Sequence, residues 1–405
     1  MYDNGVYHLF YQYNPYGAVF GDSMIWAHSV SYDLINWIHL NQAIEPSEPF
    51  DINSCWSDFY PVFINSTNGV DTSVHNPSVK YALKASFKIN WHDCYVLGTY
   101  DPEKENFAPD NDFTGTNSDL RFDYGKFYAS KTFFDPAKNR RILWAWVNES
   151  DSTEDDIEKG WAGLQVIWFD VWKSKPLQAN FNGSRNCGLL EFSAFQNMEL
   201  ANPWATIITR NSEVDQFLKF PGITASQADV EVSFELPELE SAELIDPTRI
   251  DPQLICSEEN ASRHGMIGPF GLLVLASKNL EEQTAIFFRI FKGHNKYIGL
   301  ICSDQSRTSL RNELDKTTYG AFFDIDSSHL RTISLRSLID HSIVESFGEE
   351  GRIVITSSPL LAIEKEAHLY AFNNGTLRVG ISKLNAWCMK KSQFDHEGSL
   401  NRCSA

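Results

Sequence analysis

Long hydrophobic runs are missing from this 405-residue chain. No stretch of about 18 apolar residues occurs, so the sequence holds no membrane-spanning helix. Charge is also sparse: Asp, Glu, Lys and Arg make up 21% of the chain, and their balance is −19. The clustered Lys and Arg that grip phosphates are absent, which excludes nucleic acid as a partner. None of the seven cysteines forms a Cys-x-x-Cys pair. That excludes a zinc ribbon and leaves room for one or two bridges. The opening Met-Tyr-Asp-Asn-Gly has neither a basic nor an apolar region, so no signal peptide is written there. Helical periodicity is scarce too, and β-branched and aromatic residues take the apolar positions instead.

Aromatics are plentiful: 28 Phe, 15 Tyr and 11 Trp within a hydrophobic fraction of 42%. A chain of this length and composition can bury a core and divide into two domains. Val6 to Pro15 reads as a strand buried on both faces, with Gln12 just before a turn at Asn14 and Pro15. A buried amide needs a partner, and a backbone carbonyl, a hydroxyl or a polyhydroxylated ligand would each serve. From Met1 to about Trp161, short strand patterns alternate with turn signals such as Asp101-Pro102, Asp135-Pro136 and Asn68-Gly69.

Residues 166 to 220 have neither period 2 nor period 3.6, as a frame-shifted or mis-spliced segment would. Order returns at Pro221, and Asp229 to Leu236 alternates as a strand with one core face and one solvent face. Further short strands at this spacing predict a sandwich. The expected division is therefore 1–165, 166–220 and 221–405. Cys256 and Cys302 each follow an apolar, strand-like run and are candidates for one bridge, or for two buried thiols. Five Asn-x-Ser/Thr sequons stand at Asn65, Asn148, Asn182, Asn260 and Asn374.

Several runs together resemble plant glycoside hydrolase family 32, the cell-wall invertases and fructan exohydrolases. They are Val6 to Pro15, Met24 to Trp37, Asp123 to Phe133, Arg140 to Ser150, Gly268 to Ser277 and Asp340 to Gly348. The resemblance implies an all-β chain, a five-bladed β-propeller followed by a β-sandwich. It also implies retaining hydrolysis of sucrose or fructan, no cofactor or metal, and a cell-wall or vacuolar setting. Such chemistry needs two carboxyl groups about 5–5.5 Å apart.

In the family the nucleophile precedes the Val6 strand, and that motif is not written here. No Arg-Asp-Pro and no Glu-Cys occurs anywhere, and Cys55-Trp56-Ser57 runs straight into Asp58-Phe59. The opening of one family motif is thus joined to the close of another. Asp22, Asp58 and Asp101 fall near pocket-facing segments, but none occupies a catalytic motif. No catalytic residue is assigned, and the propeller is expected to be incomplete, since blades of about 40–45 residues cannot number five in 165.

By motif match, the substrate-binding positions are Gln12, Phe20, Trp56, Ser57, Asp101 and Lys104. Phe20 stands where many members have Trp, which tilts the likeness toward an exohydrolase. Trp26, Trp144 and Trp146 are expected to fill the propeller interior rather than to stack on sugar. The implied partner is a sucrose-like or fructan-type saccharide.

Overall fold

The computed structural model describes residues 1–18, 24–43, 63–65, 81–87, 91–101, 106–109, 120–138, 140–173, 190–193, 206–207, 212–213, 216–220, 223, 225–294, 296–325, 332–359, 367–389 and 394–396, in some strands by their backbone alone. The regular structure of the described residues is mostly strand, as the sequence leads one to expect, with two short α-helices.

Three sheets form the N-terminal part. The first contains β1 (Tyr2–Asp3), β2 (Val6–Tyr13), β3 (Ile25–Ser31) and β4 (Trp37–His39). The second contains β5 (Phe63–Asn65), β6 (Tyr81–Phe87), β7 (His92–Asp101) and β8 (Asn106–Pro109), with β9 (Leu120–Arg121) also on β7. The third contains β10 (Phe127–Asp135), β11 (Arg140–Val147), β12 (Leu164–Lys173) and β13 (Leu190–Ser193). Helix α1 (Thr153–Lys159) links β11 to β12, and a capping box between Ser152 and Asp155 starts it.

The third sheet is the keystone, because side chains alternate along β11. Ile142 packs with Tyr7, Leu34 and Trp37 of the first sheet region, and Trp144 joins that cluster. Leu143, Ala145 and Val147 face the other way, against Tyr95 of the second sheet and Ile343, Phe347 and Val354 of the C-terminal part. Both faces of one strand are therefore buried, against three separate layers.

Two seven-stranded sheets follow. One holds β14 (Thr206–Ile207), β15 (Ser212–Glu213), β17 (Gln227–Glu235), β23 (Thr332–Asp340), β24 (Ile343–Gly348), β25 (Ile353–Ser357) and β27 (Gly380–Cys388). The other holds β16 (Gln216–Lys219), β18 (Glu243–Leu244), β19 (Phe270–Ala276), β20 (Thr284–Lys292), β21 (Tyr297–Asp304), β22 (Tyr319–Ile325) and β26 (His368–Asn373). Along β17 buried and half-buried residues alternate without error, as its sequence predicts. Phe234, Phe270, Phe288 and Phe323 form a chain of tilted and edge-on rings between the layers. Burying such side chains contributes about 2 kcal/mol each. The last strand, β28 (Phe394–His396), returns to pair in parallel with β4.

One local expectation differs from the structure. The run Gln253-Leu254-Ile255 before Cys256 lies on helix α2 (Pro252–Glu258), not on a strand. Asp251 caps it by accepting hydrogen bonds from the Gln253 and Leu254 N–H groups, and Pro252 occupies the first turn, where a missing N–H costs nothing. The stretch 166–220, irregular in sequence, supplies most of β12 and all of β13 to β16. Backbone pairing needs no side-chain period, and β16 adds to the sandwich edge through Gln216↔Asn373 to Lys219↔Tyr370. Cys256 and Cys302 form a disulfide with a Cα–Cα distance of 5.6 Å, tying α2 to β21.

Candidate functional site

Gln12 lies near the end of β2, half-buried and directly opposite Trp26 of β3. Residues two apart on a strand share a face, so His8 and Phe10 lie on the same side as Gln12, with His28 across from Phe10. The His8 Nδ1 and His28 Nε2 atoms share a proton at 3.0 Å, and the Phe10 ring stacks on His28 at 4.3 Å. Burial, then the imidazoles of His8 and His39, hold the His28 pKa below its usual value. On the opposite face Tyr11 Oη meets His39 Nδ1 at 2.9 Å and Ser29 Oγ at 3.2 Å. The amide is thus the polar end of an aromatic and imidazole face.

Asp101 closes β7, and its backbone pairs with Asn106. Phe20, Trp56, Ser57 and Lys104, like the Asp101 side chain, lie outside the described residues. The structure therefore places Gln12 and the Asp101 backbone without bringing the six positions together.

The buried carboxylates of the N-terminal sheets have structural partners. Asp93 accepts from Ser86 Oγ at 2.6 Å and from the Ala129 and Ser130 N–H groups, and pairs with Lys84 at 3.2 Å. Asp135 accepts from Tyr7 Oη at 2.7 Å and from Arg140 Nε at 3.1 Å, while its other oxygen caps the Ala137 turn. Asp123 is fully buried, accepts from the Gly125 N–H at 2.5 Å, and is pushed up to about 7 by that burial.

One carboxylate cluster escaped the sequence reading. Oxygens of Glu149, Asp151 and Asp156 lie within 4.8 Å of one another. Lys159 Nζ sits among them, 2.9 Å from Glu149 and 2.8 Å from Asp156, with Asp151 also bound. Burial raises the Glu149 pKa, whereas these carboxylates hold the Lys159 ammonium well above its usual range. The ammonium fills the place that a sugar or a metal ion would need, so this group is a structural hub. The only sequence signal was the Asp156, Lys159 spacing of three on a short helix.

Trp144 and Trp146 are half-buried. Trp144 meets Trp37 edge-on at 5.7 Å, as an interior filler should. Trp146 instead contacts Trp91 and Tyr128 at the end of the third sheet.

Residues 1–63 and, separately, 58–179 match the N-terminal domain of the glycosyl hydrolases family 32, and 200–388 match the C-terminal domain of that family. An insoluble β-fructofuranosidase isoenzyme of Arabidopsis thaliana is 39% identical over 520 aligned positions, covering 96% of this chain and 87% of the relative. A fructan 6-exohydrolase of Beta vulgaris is 37% identical, covering 96% and 84%. The crystal structure of fructan 1-exohydrolase IIa from Cichorium intybus superposes with a TM-score of 0.87 at 40% identity, covering 97% of this chain and 94% of that one. A variant of that protein with one glutamate changed to glutamine is also known in complex with 1-kestose. Because 520 aligned positions hold only 96% of a 405-residue chain, about a quarter of them are residues of the relative with no counterpart here.

Proposed function

Since the chain belongs to glycoside hydrolase family 32, we propose that it retains the β-fructofuranosidase scaffold without the hydrolysis. The observation that carries this reading is the junction at Ser57 and Asp58. The N-terminal domain match restarts at residue 58, and neither Arg-Asp-Pro nor Glu-Cys occurs in the sequence. A retaining glycosidase needs a nucleophile and an acid on opposite sides of one bond, and losing one member typically removes several orders of magnitude in rate. Among the described residues the buried carboxylates of the N-terminal sheets are engaged by ammonium, guanidinium, hydroxyl or backbone N–H groups.

The test is fructose release from sucrose and from 1-kestose by the purified chain, beside a relative with both motifs. The expected result is no release above the uncatalysed background. Turnover within a hundredfold of the relative would end the proposal.

A second reading, a fructoside-binding protein that does not cleave, is favoured by Gln12, which by motif resembles the family's fructosyl-binding Gln and lies on β2 beside an aromatic face. Phe20, Trp56, Ser57, Asp101 and Lys104 would complete that pocket. Binding of 1-kestose that is lost on Gln12→Ala supports it. We also infer a setting outside the cytosol, because relatives are named insoluble isoenzymes and a disulfide suits an oxidising compartment.

A further inference from the structure

At the far end of the second and third sheets, three rings come together. Trp91, in the turn before β7, is 43% exposed, and its ring lies 5.1 Å from Tyr128 and 5.9 Å from Trp146. Tyr128 pairs directly with Trp146, and Trp146 with the exposed Gln165, so phenol, indole and amide form a row across β10, β11 and β12 on one face. At Gly163, a side chain would crowd Trp146 Nε1 at 3.0 Å, and none is present.

Two residues that shape this surface hold unusual backbone. Trp91 has φ 53° and Ala129, in the bulge between Tyr128 and Lys131, has φ 54°. A bulky residue rarely takes the left-handed region, and strain of that kind gathers at working surfaces. Here it holds a large indole out toward water.

We propose that Trp91, Tyr128, Trp146 and Gln165 form a stacking platform for a neutral oligosaccharide, separate from the fructosyl pocket. The chemistry selects that occupant. Sugar rings present C–H faces to indole and hydroxyls to an amide and a phenol. A protein or lipid partner would need a contiguous apolar patch of several hundred Å², whereas this surface is a few rings with a polar border. Lys159, on the helix joining β11 to β12, offers no hold for an anion, since Glu149, Asp151 and Asp156 bind it. β7 runs from His92 to Asp101, about 30 Å at a strand's rise, so the platform lies at the other end of that strand from the family's Asp-x-x-Lys position. The inference goes beyond the proposed loss of hydrolysis and does not depend on it.

The experiment is titration of the full chain with inulin, followed by tryptophan fluorescence and calorimetry. Trp91→Asn suits the left-handed backbone, and Gln165→Ala alters an exposed residue, so each variant should melt with the parent chain. The expected result is saturable binding that Trp91→Asn weakens about tenfold and Gln165→Ala a few-fold, with Gln12→Ala leaving it in place. No saturable binding by the parent chain, or binding unchanged in both platform variants, would overturn the proposal. So would binding that only Gln12→Ala removes, which would assign it to the pocket.

Discussion

Gly125→Ala should loosen the joint between the N-terminal sheets and the sandwich. The segment entering β10 runs along β25, with the Tyr124 N–H donating to the Val354 carbonyl at 2.9 Å and the Lys126 N–H to the Thr356 carbonyl at 2.8 Å. A Cβ at position 125 would lie 1.9 Å from the Thr356 carbonyl oxygen, 2.8 Å from its carbon and 3.0 Å from its nitrogen. These are all backbone atoms, so no rotamer change relieves the clash. A carbon needs about 3.3 Å from such an oxygen, and the seam must therefore open by more than about 1 Å. Two hydrogen bonds of about 1 kcal/mol each are then strained or lost, and overpacking adds about 1–3 kcal/mol. The sum is about 4 kcal/mol. Thermal unfolding followed by circular dichroism should place Gly125→Ala roughly 8 °C below the parent, taking about 2 °C per kcal/mol. Gly17→Ala, where nothing lies within 4 Å, is the control. If the two variants melt together, the backbone seam does not couple the parts of the chain and the reasoning fails.

Three further outcomes are expected. Replacing Cys256 and Cys302 by Ser opens a loop 46 residues long, which costs about 4 kcal/mol on the chain-entropy account; reductant should lower the melting temperature of the parent but not of the double variant, and equal sensitivity would contradict this. Burial pushes Asp123 and Glu349 up to about 7, so between about pH 4 and 7 the folded chain keeps protons that the unfolded chain releases. Their contribution is complete below the unfolded values and is lost as pH rises through about 7. The lowered pKa values of Asp155 and Asp315 act oppositely, but only under more acid conditions. Asp123→Asn and Glu349→Gln should therefore flatten a fall in melting temperature between pH 5 and pH 8, and an unchanged fall counts against the assignment. Lys159→Met leaves three neighbouring carboxylates without their cation, costing about 3 kcal/mol. Because α1 buries no residue, hydrogen exchange should speed up there first, and uniform exchange would show that the ion pairs do not hold the helix.

Local pattern made part of this fold readable. The alternation of β17 fixes a core face and a solvent face, and only a strand has that period. Gln12 is legible for a related reason: a lone amide in an aromatic strand stands out. The helix at Pro252–Glu258 was not legible as such, since three apolar residues fit a strand or a helix equally, and the decision rests on the Asp251 cap. Trp144 and Trp146 are two apart on β11, yet one meets Trp37 and the other Trp91 and Tyr128, and no sequence period distinguishes these tertiary partners. The Lys159 hub and the Gly125 seam are contacts of tertiary origin. Lys126 reaches Asp315 at 2.7 Å and Asp155 reaches Arg311 at the same distance, across separations that sequence cannot foresee.

The same layering explains which part of the molecule suffers most from the missing quarter of the family alignment. The sandwich keeps its own core, built by β17 to β27 around Phe234, Phe270 and Phe288. The third sheet is covered on both faces, by the first sheet on one side and by Tyr95, Phe347 and Val354 on the other. The first sheet differs. Tyr7 and Leu9 bury one of its faces against the third sheet, but no hydrophobic cluster covers the other among the described residues. That second face carries His8, Phe10 and Gln12, with Phe10 40% exposed and stacked on His28. Imidazole and amide groups tolerate water where a row of Leu or Ile would not, so such a face does not require an apolar cover. Among the described residues, the face without a hydrophobic cover is therefore the face bearing Gln12. A fructoside site needs walls on several sides to exclude water and fix a ring. The proposed loss of hydrolysis and an uncovered Gln12 face would then share one cause, the family segment missing between Ser57 and Asp58.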